Sequence, residues 1–317
     1  MNSFKIKRNS FDIFKKSHNI FIEGHRGVNT EYFQNTMDSF KQAIKYNLDS
    51  IELDVWLTKD NIPIVIHGGH IFGFLYGFIK NIGLFKRPKD FTLEEIKKLE
   101  LKETNQKIPS LSEVLDLCKN KIFINIEIKD FNALETFNQV VKLLEEKKMI
   151  NQVAISSFNN KYYNLILNYN LSHDEKIEYG KIYGISLFPC FKRKKFDFKN
   201  ICFNIYHKEV TKEIVDIAHK NGNAVMAWFT FEEKENEKIY KRLFDLGIDV
   251  ICCNEPNKAK EYRDNKYFLN KENEDEGINN DNSPFSSFKI IFYLILLFAI
   301  VLPCILIGTR FNIFNKF

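Results

Sequence analysis

Between residues 20 and 260, strand-like runs alternate with helix-like ones, and this alternation narrows the possible folds more than any other feature. The apolar, β-branched runs are 20–24, 50–57, 122–128, 152–156, 182–187, 201–206, 224–229 and 250–253. Helical periodicity fills most of the gaps, at 35–46, 92–99, 111–119, 132–147, 159–170, 208–220 and 232–246. Eight strands alternating with helices over about 240 residues point to a (β/α)8 barrel rather than an open sheet. A dinucleotide fold lacks its fingerprint, because no glycine-rich loop follows the first strand. One further run, 62–67, follows 50–57 through "TKDN", whose Asp-Asn pair suits a tight hairpin. Helix ends are marked too. Thr92 and Glu95 have capping-box spacing, and Gly222 follows a helix whose last turn holds His219 and Lys220.

In such a barrel, chemistry belongs at the C-terminal ends of the strands, and the unusual residues fall there. The first strand runs into "GHRG", which places His25 and Arg26 at its end. The second, "SIELDVWL", carries Glu52 and Asp54 two apart, so both project to one side. Carboxylates inside an apolar strand are costly to bury unless they hold or pair with a cation. The hairpin strand "IPIVIHGG" ends at His67, and "KIFINIEIKD" sets Glu127 and Lys129 on a common face. Oxygen-only ligation suits Mg2+ or Ca2+. Arg26 and Lys129 suit a phosphate, the first as a planar fork and the second as a point charge. Two histidines can serve as general acid and base. The set fits metal-assisted phosphodiester cleavage. Taken singly, each residue has a plainer role: a strand-end His is commonly a turn residue, and Glu52 with Lys129 could be a structural ion pair.

Composition excludes other classes. The chain is 44% hydrophobic and 27% charged, an ordinary globular balance. A formal charge of +5, with no RNP, zinc-finger or basic-zipper pattern, argues against nucleic acid. The six cysteines show no metal-type spacing and read as free, mostly buried thiols of a reducing compartment. Residues 1–19 form a basic arm without the apolar core of a secretory signal. An acidic, Asn-rich linker, 266–288, precedes the uncharged run Ile290–Gly308. At about 1.5 Å per helical residue, that run reaches roughly 28 Å and can cross a bilayer. A transmembrane helix over 289–309, with a short tail 310–317, would anchor the protein and leave the barrel in the cytosol. The brevity of the span suits a thin membrane such as the endoplasmic reticulum.

The run "GHRG…QNTMDSFKQAI…DSIELDVWLTKDNIPIVIHG" resembles the glycerophosphodiester phosphodiesterases, whose pattern is HRG, ENT, E-x-D, TKDG and HD. The likeness continues through "IPSLSEVLDLCKNKIFINIEIK", "ISSFN" and "AHKNGNAVMAWFTFEEKE…LFDLGIDVICCNEP", spanning about residues 20–260. The resemblance implies a TIM barrel over 20–265 with a divalent ion held by Glu52, Asp54 and Glu127. It further implies His25 and His67 as the acid/base pair, Arg26 and Lys129 as phosphate holders, and Trp228 as an aromatic beside the substrate. Either the substrate's own 2-hydroxyl or water would attack phosphorus. Trp228 could instead be plain barrel packing.

Three positions depart from the family pattern. Gln34 replaces the ENT glutamate, Gly68 replaces the aspartate after His67, and Cys253-Asn254 replaces Thr-Asp near the end. A fourth difference is the apolar stretch "HIFGFLYGFIKNIGLFKRPKDF", with its basic end. As an exposed patch it would dip into a lipid interface and admit acylated substrates; otherwise it packs over the barrel. The expectation is a TIM (β/α)8 barrel with an extra hairpin strand and a C-terminal transmembrane helix. Its activity would be metal-dependent hydrolysis of glycerophosphodiesters, with lysophospholipids as a further substrate class. An inert barrel that binds phosphorylated headgroups, and a phospholipase C-like phosphodiesterase, are the alternatives.

Overall fold

The computed structural model describes residues 20–267, apart from 69–74, 76–77, 103, 131, 186–197 and 232. The expected basic arm, most of the acidic linker, the transmembrane helix over 289–309 and the tail lie outside the described residues. Among the described residues, no helix is long and apolar enough to cross a membrane.

Eight parallel strands close into a ring: β1 (Phe21–Gly24), β2 (Ser50–Leu57), β4 (Phe123–Ile128), β5 (Val153–Ser157), β6 (Glu178–Ile182), β7 (Cys202–Tyr206), β8 (Ala224–Trp228) and β9 (Val250–Cys253). Closure comes from β1, which pairs with β2 on one side and β9 on the other. The hairpin strand β3 (Pro63–Val65) runs antiparallel against the outside of β2, with Val55 opposite Val65. Period-two alternation assigns the faces. Phe21, Ala154, Cys202, Ala224, Met226, Val250 and Cys252 fill the lower interior. The intervening Ile22, Ile51, Leu53, Val55, Ile124 and Ile126 are buried on the outer side, each worth about 1.5–3 kcal/mol of apolar burial.

The connecting helices are α1 (Met37–Lys45), α2 (Leu93–Lys98), α3 (Leu111–Cys118), α4 (Ala133–Lys147), α5 (Lys161–Ser172), α6 (Lys212–Lys220), α7 (Glu237–Leu246) and α8 (Pro256–Tyr262). Thr92 and Ser110 form full capping boxes with Glu95 and Glu113, while Thr36, Thr211 and Asn236 cap α1, α6 and α7. Two helices start four or five residues later than their periodicity predicts: α6 at Lys212 instead of 208, and α7 at Glu237 instead of 232. The cap, not the apolar pattern, sets where each begins.

One strand differs more. The sequence places the fifth barrel strand at 182–187, whereas the structure has β6, "EYGKI", at 178–182. Its inward positions are Glu178, Gly180 and Ile182, of which only the last is a large apolar residue. A Cβ on Gly180 would sit 2.9 Å from both the Asn204 amide and Ser156 Cβ, so the ring needs a glycine there. Helix α8 was not anticipated. It is followed by the helical turn Arg263–Tyr267, whose Tyr267 ring packs at 5.1 Å from Phe244. Residues 266 and 267 thus fold with the barrel rather than the linker.

The floor of the barrel, at the N-terminal strand ends, uses one device repeatedly. The residue just before a strand accepts a backbone N–H from the start of the neighbouring strand segment. Asp49 takes Ile22 N–H at 2.9 Å, Gln152 takes Asn120 N–H at 2.9 Å, Asn223 takes Ile201 N–H at 3.1 Å and Asp249 takes Val225 N–H at 2.7 Å. Arg263 closes the ring by donating to both Ile20 O and Asp49.

Candidate active site

The mouth, at the opposite end, is built first by the turn after β1. Arg26 (φ 58) and Gly27 (φ 85) both take left-handed backbone conformations. A Cβ on Gly27 would lie 2.0 Å from Ser39 Oγ, so only glycine lets the chain fold back here. The turn aims Arg26 inward twice. Its backbone N–H donates to Glu52 Oε2 at 3.0 Å, and its guanidinium Nε lies 3.2 Å from Asp54 Oδ2. Nη1 donates to the side-chain oxygen of Gln34. The neutral amide at position 34 therefore still holds the arginine, as a hydrogen-bond acceptor instead of a counter-charge.

Barrel register then assembles the carboxylates. Asp54 pairs across with Glu127, and Glu52 with Asn125. Lys129 reaches back to Glu127 Oε1 at 2.6 Å and Asp54 Oδ1 at 3.1 Å. The Lys129 partners are thus Asp54 and Glu127. Asn35, itself left-handed (φ 57), donates to Asp54 Oδ2 at 2.8 Å. Burial resists the Asp54 charge, but Lys129 and Arg26 outweigh it and hold the carboxyl well below its usual range. Glu52 is opposite in character. Burial, then the charges of Asp54 and Glu127, push its carboxyl well above normal. Burial also pushes Glu127 up, against the pull of Lys129.

Oxygens of Glu52, Asp54 and Glu127 lie within 4.8 Å of one another. Glu52 Oε1 is buried with no hydrogen-bond partner. Three hard oxygen donors around an unanswered carboxylate oxygen fit a hard divalent cation, whose charge would invert the penalty on Glu52.

Both histidines reach this cluster. His25 extends from the end of β1, with Nε2 4.0 Å from Glu52 Oε2 and Nδ1 3.0 Å from Asn254 Oδ1. His67 arrives from the hairpin that carries β3, where Trp56 Nε1 donates to its carbonyl at 3.1 Å. Gly68 beside it is left-handed (φ 68). Burial first, then Arg26, pushes the His25 imidazole down to about 3. His67 is likewise pushed down to about 3, by burial with Arg26 and Lys129 acting against Asp54.

A cavity of about 420 Å³ is lined by His25, Arg26, Glu52, His67, Glu127, Lys129 and Trp228. The eighth expected residue, Asp54, is fully buried behind this lining, against Arg26 and Lys129. Trp228 Nε1 is buried without a partner on this wall, an unusual state for a tryptophan that merely packs. Sequence reasoning missed Asn125, Ser156 and Asn204, whose side chains also line the cavity, each with a buried oxygen lacking a partner. It also missed two half-exposed rings, Phe231 and Phe158, each 5.7 Å from a cation, Arg26 and Lys129 respectively. The asparagines carried a legible signal, being polar residues at inward strand positions.

Residues 25–258 match the glycerophosphoryl diester phosphodiesterase family. A glycerophosphodiester phosphodiesterase of Caldanaerobacter subterraneus is 32% identical over 256 residues, covering 74% of this chain and 94% of that protein. A human lysophospholipase D is 26% identical over 279 residues, covering 76% and 85%. The fold is shared with an Oleispira antarctica phosphodiesterase solved in complex with the product sn-glycerol-3-phosphate. That likeness has a TM-score of 0.61 at 22% identity and covers 77% of this chain and 96% of that one.

Proposed function

The chain belongs to the glycerophosphoryl diester phosphodiesterase family, and on that premise we propose that Glu52, Asp54 and Glu127 hold a divalent cation while His25 and His67 carry protons. The chain is an enzyme, a glycerophosphodiester phosphodiesterase. The observation that carries the site assignment is the unpartnered Glu52 oxygen in a cluster with the Asp54 and Glu127 carboxylates, beside a cavity that Arg26 and Lys129 also line. Arg26 and Lys129 would bind non-bridging phosphoryl oxygens. One histidine takes the proton of the attacking oxygen as it bonds to phosphorus, and the other protonates the departing alcohol as its P–O bond breaks. Attack by water gives glycerol 3-phosphate directly, and attack by the substrate's 2-hydroxyl gives a cyclic phosphate that water then opens. A cation in the carboxylate cluster would supply Lewis-acid stabilisation of the charge that develops on the phosphoryl oxygens.

Lysophospholipids are the second substrate class we assign. Two features support them: the likeness to a human lysophospholipase D, and the stretch 70–91. Its described Leu75 and Ile79 pack in a small core with Trp56 and Ile64, so part of it lies over the barrel. Leu84 and Phe85 are 56% and 76% exposed and run into Lys86 and Arg87, an apolar tip with a basic flank that suits an anionic interface. We further propose anchoring through 289–309, with the barrel in the cytosol.

The test is hydrolysis of glycerophosphocholine and micellar lysophosphatidylcholine by the full chain, with Mg2+, Ca2+ or chelator. Turnover should require a metal and vanish in His25→Ala. Leu84→Glu/Phe85→Glu should depress lysolipid turnover alone. Failure on both substrates with both ions overturns the reading, and equal lysolipid turnover by the double variant removes the interfacial part.

A further inference from the structure

Asn254 stands out at the mouth because all of its polar atoms are engaged, while the cavity wall beside it is full of unpaired ones. It is the first residue after β9 and is 2% exposed. Its N–H donates to Glu235 Oε1 at 2.6 Å, its carbonyl accepts from Thr30 Oγ1 at 3.3 Å, and its side-chain Nδ2 donates to Thr230 O at 2.8 Å. Its Oδ1 takes Asn29 Nδ2 at 3.0 Å and faces His25 Nδ1 at 3.0 Å.

These partners leave one arrangement of protons. Thr230 O is a carbonyl and only accepts, so the end of the Asn254 amide facing it is the NH2 group. The end facing His25 is therefore the oxygen. Asn29 agrees independently. Its Nδ2 also donates to the His25 carbonyl at 2.7 Å, so it too is a nitrogen, and its second proton points at Asn254 Oδ1. His25 Nδ1 thus meets an acceptor whose identity is already fixed, and must carry the hydrogen. The neutral ring then keeps its lone pair on Nε2, the nitrogen turned toward Glu52 and the cavity.

We propose that Asn254 is a positioning residue that fixes His25 in the Nδ1–H tautomer and so makes it the base of the pair, with Asn29 and Thr230 setting the direction of its amide. The inference rests on the phosphodiesterase reading for its catalytic meaning but not for its geometry. By elimination, His67 is the acid that protonates the leaving alcohol. Glu235 contributes one step further out. It accepts from Tyr240 Oη at 2.8 Å and from the Asn254 N–H, which holds the residue against the end of β9.

The experiment has two arms. Long-range proton–nitrogen spectra of the full chain, labelled with 15N-histidine, report which ring nitrogen is protonated, with His25→Gln identifying the resonance among the seven histidines. An Nδ1–H pattern is expected, and an Nε2–H pattern in the wild type overturns the proposal whether or not any variant folds. In the second arm, Asn254→Ala should shift His25 away from Nδ1–H and lower kcat by about ten- to a hundredfold with KM within about twofold. Asn254→Asp keeps the acceptor but loses the donor to Thr230. It should restore the Nδ1–H pattern and most of the lost kcat. If it is as impaired as the alanine, the Thr230 tie is what matters and the role is structural only. A wild type that shows the tautomer yet hydrolyses neither substrate would refute the enzymatic reading and leave the geometry standing.

Discussion

Asp49 and Asp54 lie five positions apart around one strand, yet they belong to two different kinds of chemistry. At the floor, Asp49 takes the Ile22 N–H and the Arg263 guanidinium, and Asp249, Gln152 and Asn223 repeat the arrangement around the ring. These groups answer one another. At the mouth, Asp54 is squeezed between Arg26 and Lys129, while Glu52 Oε1, Asn125 Oδ1, Ser156 Oγ, Asn204 Oδ1 and Trp228 Nε1 are buried and unanswered. A polar group desolvated without a partner costs about 1–3 kcal/mol. Such a cluster persists because the rest of the barrel holds it for something outside the chain. The floor supplies stability and the mouth uses some of it up.

That contrast can be broken by single substitutions. The largest effect is expected from Glu52→Gln, which removes the charge but keeps the shape. Activity should fall about a thousandfold while the thermal midpoint stays level or rises, since a buried like-charge is relieved. A fall in stability of similar size to a floor variant would erase the distinction. Next is Asp49→Ala, which takes the acceptor from the Ile22 N–H and leaves Arg263 with only Ile20 O and Asp264. It should cost about 1–3 kcal/mol in denaturant unfolding yet leave kcat of the folded enzyme within about twofold. The smallest effect sharpens the comparison through pH. His219 donates to Asp249 at 2.8 Å, and that hydrogen bond raises its pKa above 6.5. Its contribution is therefore full below pH 6.5 and is lost as pH rises through the higher folded value. The pair is 41% exposed on the histidine side, so the gain is about 0.3–0.5 kcal/mol. The mouth histidines have the opposite sign: with lowered values, they cost stability as pH falls below 6.5. Unfolding of His219→Gln across pH 5–9 should lose only the floor term.

Much of the mouth was legible because charge on an apolar strand is itself a signal. Glu52, Asp54, Glu127 and Lys129 stood out against β-branched neighbours, and period two placed them on one face. Strand β6 was not legible. "EYGKI" lacks the apolar run expected of a barrel strand, because its central inward position must be a glycine to clear Ser156 and Asn204 on the two neighbouring strands. Asn254 was visible only as a departure from a pattern. Its role depends on Thr230 and Asn29, 24 and 225 positions away in the chain, and no local window relates them. Gln34, which stands where the family pattern has a glutamate, accepts from Arg26, a contact that the sequence alone did not reveal.

Gly68 carries a consequence for how sequences of this fold can drift. Its left-handed φ of 68 is a conformation that asparagine and aspartate tolerate better than other side chains. A lineage can therefore exchange glycine for an acidic residue beside His67 without re-routing the hairpin. At this corner the backbone path admits either residue, so a charge beside His67 can be gained or lost at little conformational cost.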